Sequence, residues 1–163
     1  TVEDVRECVR AVRAETPATG GIHGVGMRRD VGYVVDVGSP AFVQALEDVV
    51  VAVMIEKASA VDNVEAMLSV KGVDMVQFGP ADYSLSIGLP GQWEHPRVRE
   101  AEMHVIKTAL RLGVAPRVEI DRPEQARPYL DMGVRHFCMG WDVGILMEWF
   151  KTEGTALRKM AKG

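Results

Sequence analysis

Val49-Val50-Val51-Ala52-Val53-Met54-Ile55-Glu56 and Val73-Asp74-Met75-Val76-Gln77-Phe78-Gly79-Pro80-Ala81-Asp82 are two short apolar runs, each followed by a carboxylate. Each short apolar run reads as a buried β-strand. In a parallel α/β sheet or barrel, the strand C-termini open onto one face, and active sites are built there. Glu56 and Asp82, leaving adjacent strand ends, would point at one spot. Two like charges repel there unless a cation sits between them. A hard divalent ion such as Mg²⁺ or Mn²⁺ is held by one or two carboxylates plus waters and substrate oxygens.

Outward from these strands the chain alternates. Val2, Val5, Val9 and Val12 recur at helical spacing, which predicts an amphipathic helix over 2–14, with Thr1 as N-cap and Asp4 as its capping-box acid. Residues 16–26 carry Pro17, Gly20, Gly21, Gly24 and Gly26 and read as loop. Ser39-Pro40 opens a helix to Asp48, and the first strand covers 49–55. Ser59 with Asp62 caps a helix over 60–70, the second strand covers 73–78, and Ser84–Gln92 is loop-like. Pro96 begins a helix stopped by Gly113, a third strand covers 114–120, and Pro123 opens a helix stopped by Gly133. A fourth strand over 134–141 and a helix over 142–161 complete the pattern. Strand then helix, repeated, implies right-handed crossovers and a parallel sheet in a single α/β domain over residues 1–163. Four such strands make a small open sheet or half of a barrel, since a complete barrel takes about 250 residues. A chain that opens directly on a helix cap reads as cut from something longer.

At 163 residues, 47% hydrophobic and 26% charged, the composition is that of a globular domain. A net charge of −4 without a basic block gives no electrostatic support for nucleic acid or for a polybasic membrane contact. No apolar run approaches the roughly 20 residues of a membrane span. Cys8 and Cys138 lie far apart with no C-x-x-C spacing, which fits a reduced, cytoplasmic protein and two small buried residues. Neither cysteine has the setting of a nucleophile.

At Glu56 and at Gly79-Pro80-Ala81-Asp82 the sequence resembles the HpcH/HpaI aldolase/citrate lyase family, the class II pyruvate aldolases typified by 4-hydroxy-2-oxoheptanedioate aldolase. The resemblance runs through Val61-Asp62-Asn63, Gly72-Val73-Asp74, the Gly79–Ser84 segment, Gly88 and His95-Pro96. It implies a (β/α)8 TIM barrel of the phosphoenolpyruvate/pyruvate type, of which this chain supplies roughly the C-terminal half. It also implies a metal-dependent carbon–carbon lyase that cleaves a 4-hydroxy-2-oxo acid reversibly into pyruvate and an aldehyde. Glu56 and Asp82 would ligate Mg²⁺ or Mn²⁺, with Co²⁺ or Zn²⁺ as alternatives. The N–H groups of Ala81 and Asp82 would receive the pyruvate carboxylate, and Gly79 would let the ligand approach the backbone. The family's His–Asp base and its arginine lie on the first strands of the barrel, and nothing in this chain matches them. The chain taken alone is therefore expected to hold metal ligands and to lack the base.

Three positions depart from the family pattern. Met54 stands where Gln is common two residues before the metal Glu, His23-Gly24 stands for Arg-Gly, and Arg117 and Glu119 occupy a strand whose residues are often small and apolar. Arg117 and Glu119, two apart, share one strand face and are expected to tune the aldehyde pocket. His23 reads as a loop hydrogen-bonder, His95 as helix entry, His104 as a helix-surface residue and His136 as a strand-start residue. Asp142 is a cap for the last helix, and Trp141, Trp149 and Phe150 pack within the chain or at a subunit interface. Ile145, Leu146 and Phe150 form an apolar stripe through which the resemblance implies a homo-oligomer, a trimer or hexamer. Two readings stay open beside the aldolase. One is a citryl- or malyl-coenzyme-A-type lyase or oxaloacetate decarboxylase on the same barrel. The other is a non-catalytic half-barrel module in which Glu56 and Asp82 are ordinary solvated charges at strand ends.

Overall fold

The computed structural model describes residues 1–26, 29 and 37–162. Helix α1 (Val2–Val12) is followed by α2 (Pro40–Glu47), β1 (Ala52–Ile55), α3 (Ala58–Asp62), α4 (Val64–Leu68), β2 (Met75–Phe78), α5 (Pro80–Ser86) and α6 (Pro96–Leu112). Then come β3 (Ala115–Ile120), a 3₁₀ turn (Pro123–Ala126), α7 (Arg127–Met132), β4 (His136–Met139) and α8 (Asp142–Met160). The chain forms two compact units, Thr1–Pro116 and Arg117–Gly163. The expected α/β class with parallel strands holds, with β1 beside β2 and β3 beside β4, both pairs parallel.

In the first unit the core gathers Ile55 from β1, Val76 and Phe78 from β2, Val64 and Leu68 from α4, and Val98, Val105 and Ala109 from α6. The capping box of α1 is present, with the Thr1 hydroxyl accepting from the Asp4 N–H and the Asp4 carboxylate answering at Thr1. Gly113 ends α6 with φ +76°, a conformation that a Cβ disfavours. A second small cluster of Ala14, Phe42 and Leu46 seats α2. In the second unit Val118, Ile120, Tyr129 and Val134 are buried.

β1 is shorter and more open than the valine run suggests. The buried Arg13 guanidinium donates to the carbonyls of Leu46 and Val49 at 2.9 Å, and the Asp74 carboxylate accepts the Val51 N–H at 2.8 Å. The Val49 carbonyl and the Val51 N–H are thus taken by side chains, while the Val51 carbonyl accepts from the Asp74 and Met75 N–H groups and the strand proper begins at Ala52. Nor is β1 buried on both sides. Val51 and Ile55 point into the core, whereas Val50 and Met54 are 62% and 50% exposed. The alternation is that of a strand packed on one face.

Two further expectations are corrected. The helix expected over 60–70 is two short helices separated at Asn63, whose backbone leaves the helical region at φ −110°. Ser59 does not cap it; the Asn63 amide donates to the Ser59 carbonyl instead. The loop expected from Ser84 begins later, because helix α5 spans Pro80–Ser86, and Asp82 sits in its first turn. Proline at N1 starts the helix, and the Gly79 carbonyl accepts its first hydrogen bond from the Tyr83 N–H at 3.1 Å.

Candidate metal and substrate site

The site is assembled by strand register. Pairing of Ala52 with Met75, Val53 with Val76, Met54 with Gln77 and Ile55 with Phe78 carries the two strands to their C-terminal ends together. The Gly79 N–H then donates to the Ile55 carbonyl at 2.9 Å, which sets Glu56 beside Gly79. On one face of the pair the rows are Ala52/Met75, Met54/Gln77 and Glu56/Gly79.

Glycine at position 79 is a spatial requirement. A Cβ there would stand 2.8 Å from Glu56 Cβ and 2.9 Å from Glu56 Oε2, with Met54 Sδ at 3.4 Å. The φ of Gly79 is −104°, open to any residue, so the missing side chain is explained by the Glu56 carboxylate and not by backbone strain. Asp82 follows three residues later. The N–H groups of Ala81 and Asp82 fall in the first turn of α5, where no intrahelical acceptor exists for them.

The two carboxylate-bearing segments are also tied downstream. Ser86 Oγ accepts the Ala58 N–H at 3.0 Å and donates to the Tyr83 carbonyl at 2.8 Å, joining the start of α3 to α5. Tyr83 and Ser84, both buried, anchor α5 from below, with the Tyr83 ring 5.2 Å from that of Phe78. Sequence reading missed Ser86, and no local signal marks it: its partner lies 28 residues away. A recess of about 340 Å³ runs beside β1 and is bordered by Val53, Met54, Glu56 and Lys57 together with Asp4 and Cys8 of α1.

The donor set fits a hard divalent cation. Among the described residues no three His, Cys, Asp or Glu side chains cluster as a closed cage. Glu56 and Asp82 are both carboxylates, the oxygen-donor type that Mg²⁺ and Mn²⁺ take.

The remaining residues singled out from sequence are placed as follows. Arg117 and Glu119 belong to the second unit, share one face of β3, and stand opposite His136 and Cys138 of β4. Arg117 is half-buried and Glu119 exposed. His23 Nδ1 lies 3.2 Å from the Ala11 carbonyl and its ring packs toward Phe42, as a loop hydrogen-bonder does. His95 caps α6, its Nδ1 accepting from the Arg97 N–H. Cys8, expected to be buried, is exposed on α1.

Asp142 is one step inside the α8 start, where its carboxylate accepts from the Val143 N–H, while Trp141 holds the N-cap position. Trp141, Trp149 and Phe150 do not pack into the core; they are 65%, 58% and 60% exposed. In the second unit a recess of about 540 Å³ is lined by Asp121, Arg122, Gly140, Trp141, Ile145 and Glu148. Of these, Asp121, Arg122, Gly140 and Glu148 carried no functional reading in the sequence. Among the described residues no helix is long and apolar enough to cross a membrane.

A family model described as HpcH/HpaI aldolase/citrate lyase matches residues 1–148. A 5-keto-4-deoxy-D-glucarate aldolase from Klebsiella pneumoniae subsp. pneumoniae is 31% identical over 144 residues, covering 88% of this chain and 56% of that protein. A 4-hydroxy-2-oxovalerate aldolase from Rhodococcus jostii is 35% identical over 147 residues, covering 89% and 55%. Among solved structures, an HpcH/HpaI aldolase/citrate lyase family protein from Burkholderia cenocepacia superposes with a TM-score of 0.83 at 30% identity, covering 97% of this chain and 62% of that one. The chain spans about half the length of the curated relatives it matches.

Proposed function

Because the chain belongs to the HpcH/HpaI aldolase/citrate lyase family, we propose that it carries the cation-binding part of a metal-dependent carbon–carbon lyase. The reaction is the reversible cleavage of a 4-hydroxy-2-oxo acid into pyruvate and an aldehyde. The observation that carries this reading is the Glu56 carboxylate lying across the space that Gly79 leaves empty, with Asp82 in the turn that follows.

Glu56 and Asp82 hold the cation, which when bound supplies Lewis acidity toward the 2-oxo group. The Ala81 and Asp82 N–H groups receive the substrate carboxylate, fixing its orientation at the helix start. Gly79 admits the ligand to the backbone. Met54 and Gln77 form the row behind the carboxylate and bound the site on that side. The base that moves the substrate hydroxyl proton is not assigned to any residue of this chain.

The protein acts as a homo-oligomer, a trimer or hexamer, through α8. None of that helix's residues is buried, and Ile145, Leu146, Trp149 and Phe150 present apolar surface to solvent. We place it in the cytoplasm, in keeping with two free cysteines.

The test is pyruvate release from a 4-hydroxy-2-oxo acid by the full-length protein with Mn²⁺, with oxaloacetate and malyl-coenzyme A as comparison substrates. Glu56→Gln and Asp82→Asn are each expected to lower kcat/KM by at least about a hundredfold, as loss of a ligand does. Release of pyruvate from oxaloacetate alone would transfer the assignment to a decarboxylase, and turnover unaffected by either variant would remove both residues from the chemistry.

A further inference from the structure

The space in front of Gly79 is faced by two donor atoms. Glu56 Oε2 and Met54 Sδ both lie within 3.4 Å of the point where a Cβ would stand. Met54 and Glu56 leave β1 on the same face, two residues apart. The core contacts of β1 are made by the opposite face, through Ile55 with Val53 against it. Met54 itself is half exposed, so its thioether is not consumed in filling the core.

A thioether sulfur has lone pairs, no proton and no charge. It adds almost nothing to the binding of a hard ion such as Mg²⁺, yet it is a genuine donor to softer ions. Its side chain rotates about three bonds and can adjust to an ion seated beside a carboxylate. The two carboxylates leave coordination positions open, and no third His, Cys, Asp or Glu fills them among the described residues. The Met54 sulfur and Glu56 Oε2 border the same Gly79 space.

We propose that Met54 is a selectivity-determining residue of the cation site, its Sδ biasing the Glu56–Asp82 pair toward thiophilic divalent ions over purely oxygen-loving ones. The proposal rests on the reading of Glu56 and Asp82 as cation ligands, and its test separates the two. Mn²⁺ and Cd²⁺ binding are measured by titration calorimetry on the full chain, with Cys8→Ser and Cys138→Ser in place so that no thiol captures cadmium.

Met54→Leu keeps the bulk and removes the sulfur. It is expected to weaken Cd²⁺ about tenfold and to leave Mn²⁺ within about twofold. Met54→Gln is expected to do the same, which ties the loss to sulfur rather than to shape. Cadmium-edge X-ray absorption is expected to show a Cd–S path in the parent and none in either variant. Mn²⁺ binding that Glu56→Gln abolishes, together with a Cd²⁺ to Mn²⁺ ratio unchanged by Met54→Leu, would overturn the role of Met54 alone. Absence of Mn²⁺ binding in the parent, or binding indifferent to Glu56→Gln, would overturn the cation site and the proposal with it.

Discussion

Glu56 and Gly79 are a matched pair, because the side chain of one occupies the space the other lacks. Gly79→Ala is compatible with the backbone at φ −104°, but its Cβ would meet the Glu56 Cβ at 2.8 Å and the carboxylate at 2.9 Å. The new methyl is fixed to the backbone, so Glu56 must move. Cation affinity is expected to fall at least about tenfold, with about 1–3 kcal/mol lost from stability by overpacking. Calorimetric titration and urea unfolding of the variant check both, and unchanged affinity would show that the carboxylate does not need its place over Gly79. At this scale the sequence was informative about identity and silent about contact. Glu56, Gly79 and Asp82 were legible because each follows an apolar run or sits in a turn motif. Ser86 was not, because a hydroxyl that meets the Ala58 N–H across 28 residues leaves no periodic trace. Arg13 was invisible for the same reason: a buried guanidinium that bonds carbonyls 33 and 36 residues away looks, in sequence, like a polar residue ending a helix.

The elements were legible in kind and order, and misread where tertiary bonds overrode local pattern. Val49–Val51 has every propensity for strand, yet the Arg13 guanidinium takes the Val49 carbonyl and the Asp74 carboxylate takes the Val51 N–H. Ser84–Gln92 looked like loop, but Pro80 is at home as the first helical residue and the helix it opens runs to Ser86. Between helices, Arg111 of α6 binds Glu65 of α4 through two hydrogen-bonding contacts of 2.8 and 3.1 Å. The guanidinium donates to the carboxylate and attracts it, holding Glu65 below its ordinary value of 4.5. A carboxylate with a lowered folded-state pKa contributes stability above its unfolded pKa and loses it as pH falls through the folded one. Arg111→Gln is therefore expected to return Glu65 to the ordinary carboxylate range in a carbon-13 NMR titration. The accompanying stability loss is expected at neutral pH, to vanish in acid and to shrink in high salt, because both groups are exposed. A Glu65 titration unmoved by the variant would show that Arg111 is not the cause.

For the molecule as a whole, the proposed interface is α8. This helix of 19 residues has none buried and carries Leu146 and Phe150 at 55% and 60% exposure, apolar surface of the kind an interface covers. Leu146→Glu combined with Phe150→Glu is expected to lower the oligomeric state in sedimentation equilibrium. A parent protein that is already monomeric, or a variant that assembles equally well, would contradict the proposed interface. The fold class was readable from the strand–helix alternation and so was the apolar stripe of α8, whereas its exposure was not, since such a stripe has the same sequence whether it meets the core or solvent. The central claim is that the two carboxylates hold one ion jointly, and Mn²⁺ titration of the parent, Glu56→Gln and Asp82→Asn tests it most directly. One Mn²⁺ per chain is predicted, with each variant weakening it at least about tenfold. Parent-like affinity in either variant, or two independently bound ions, would contradict it.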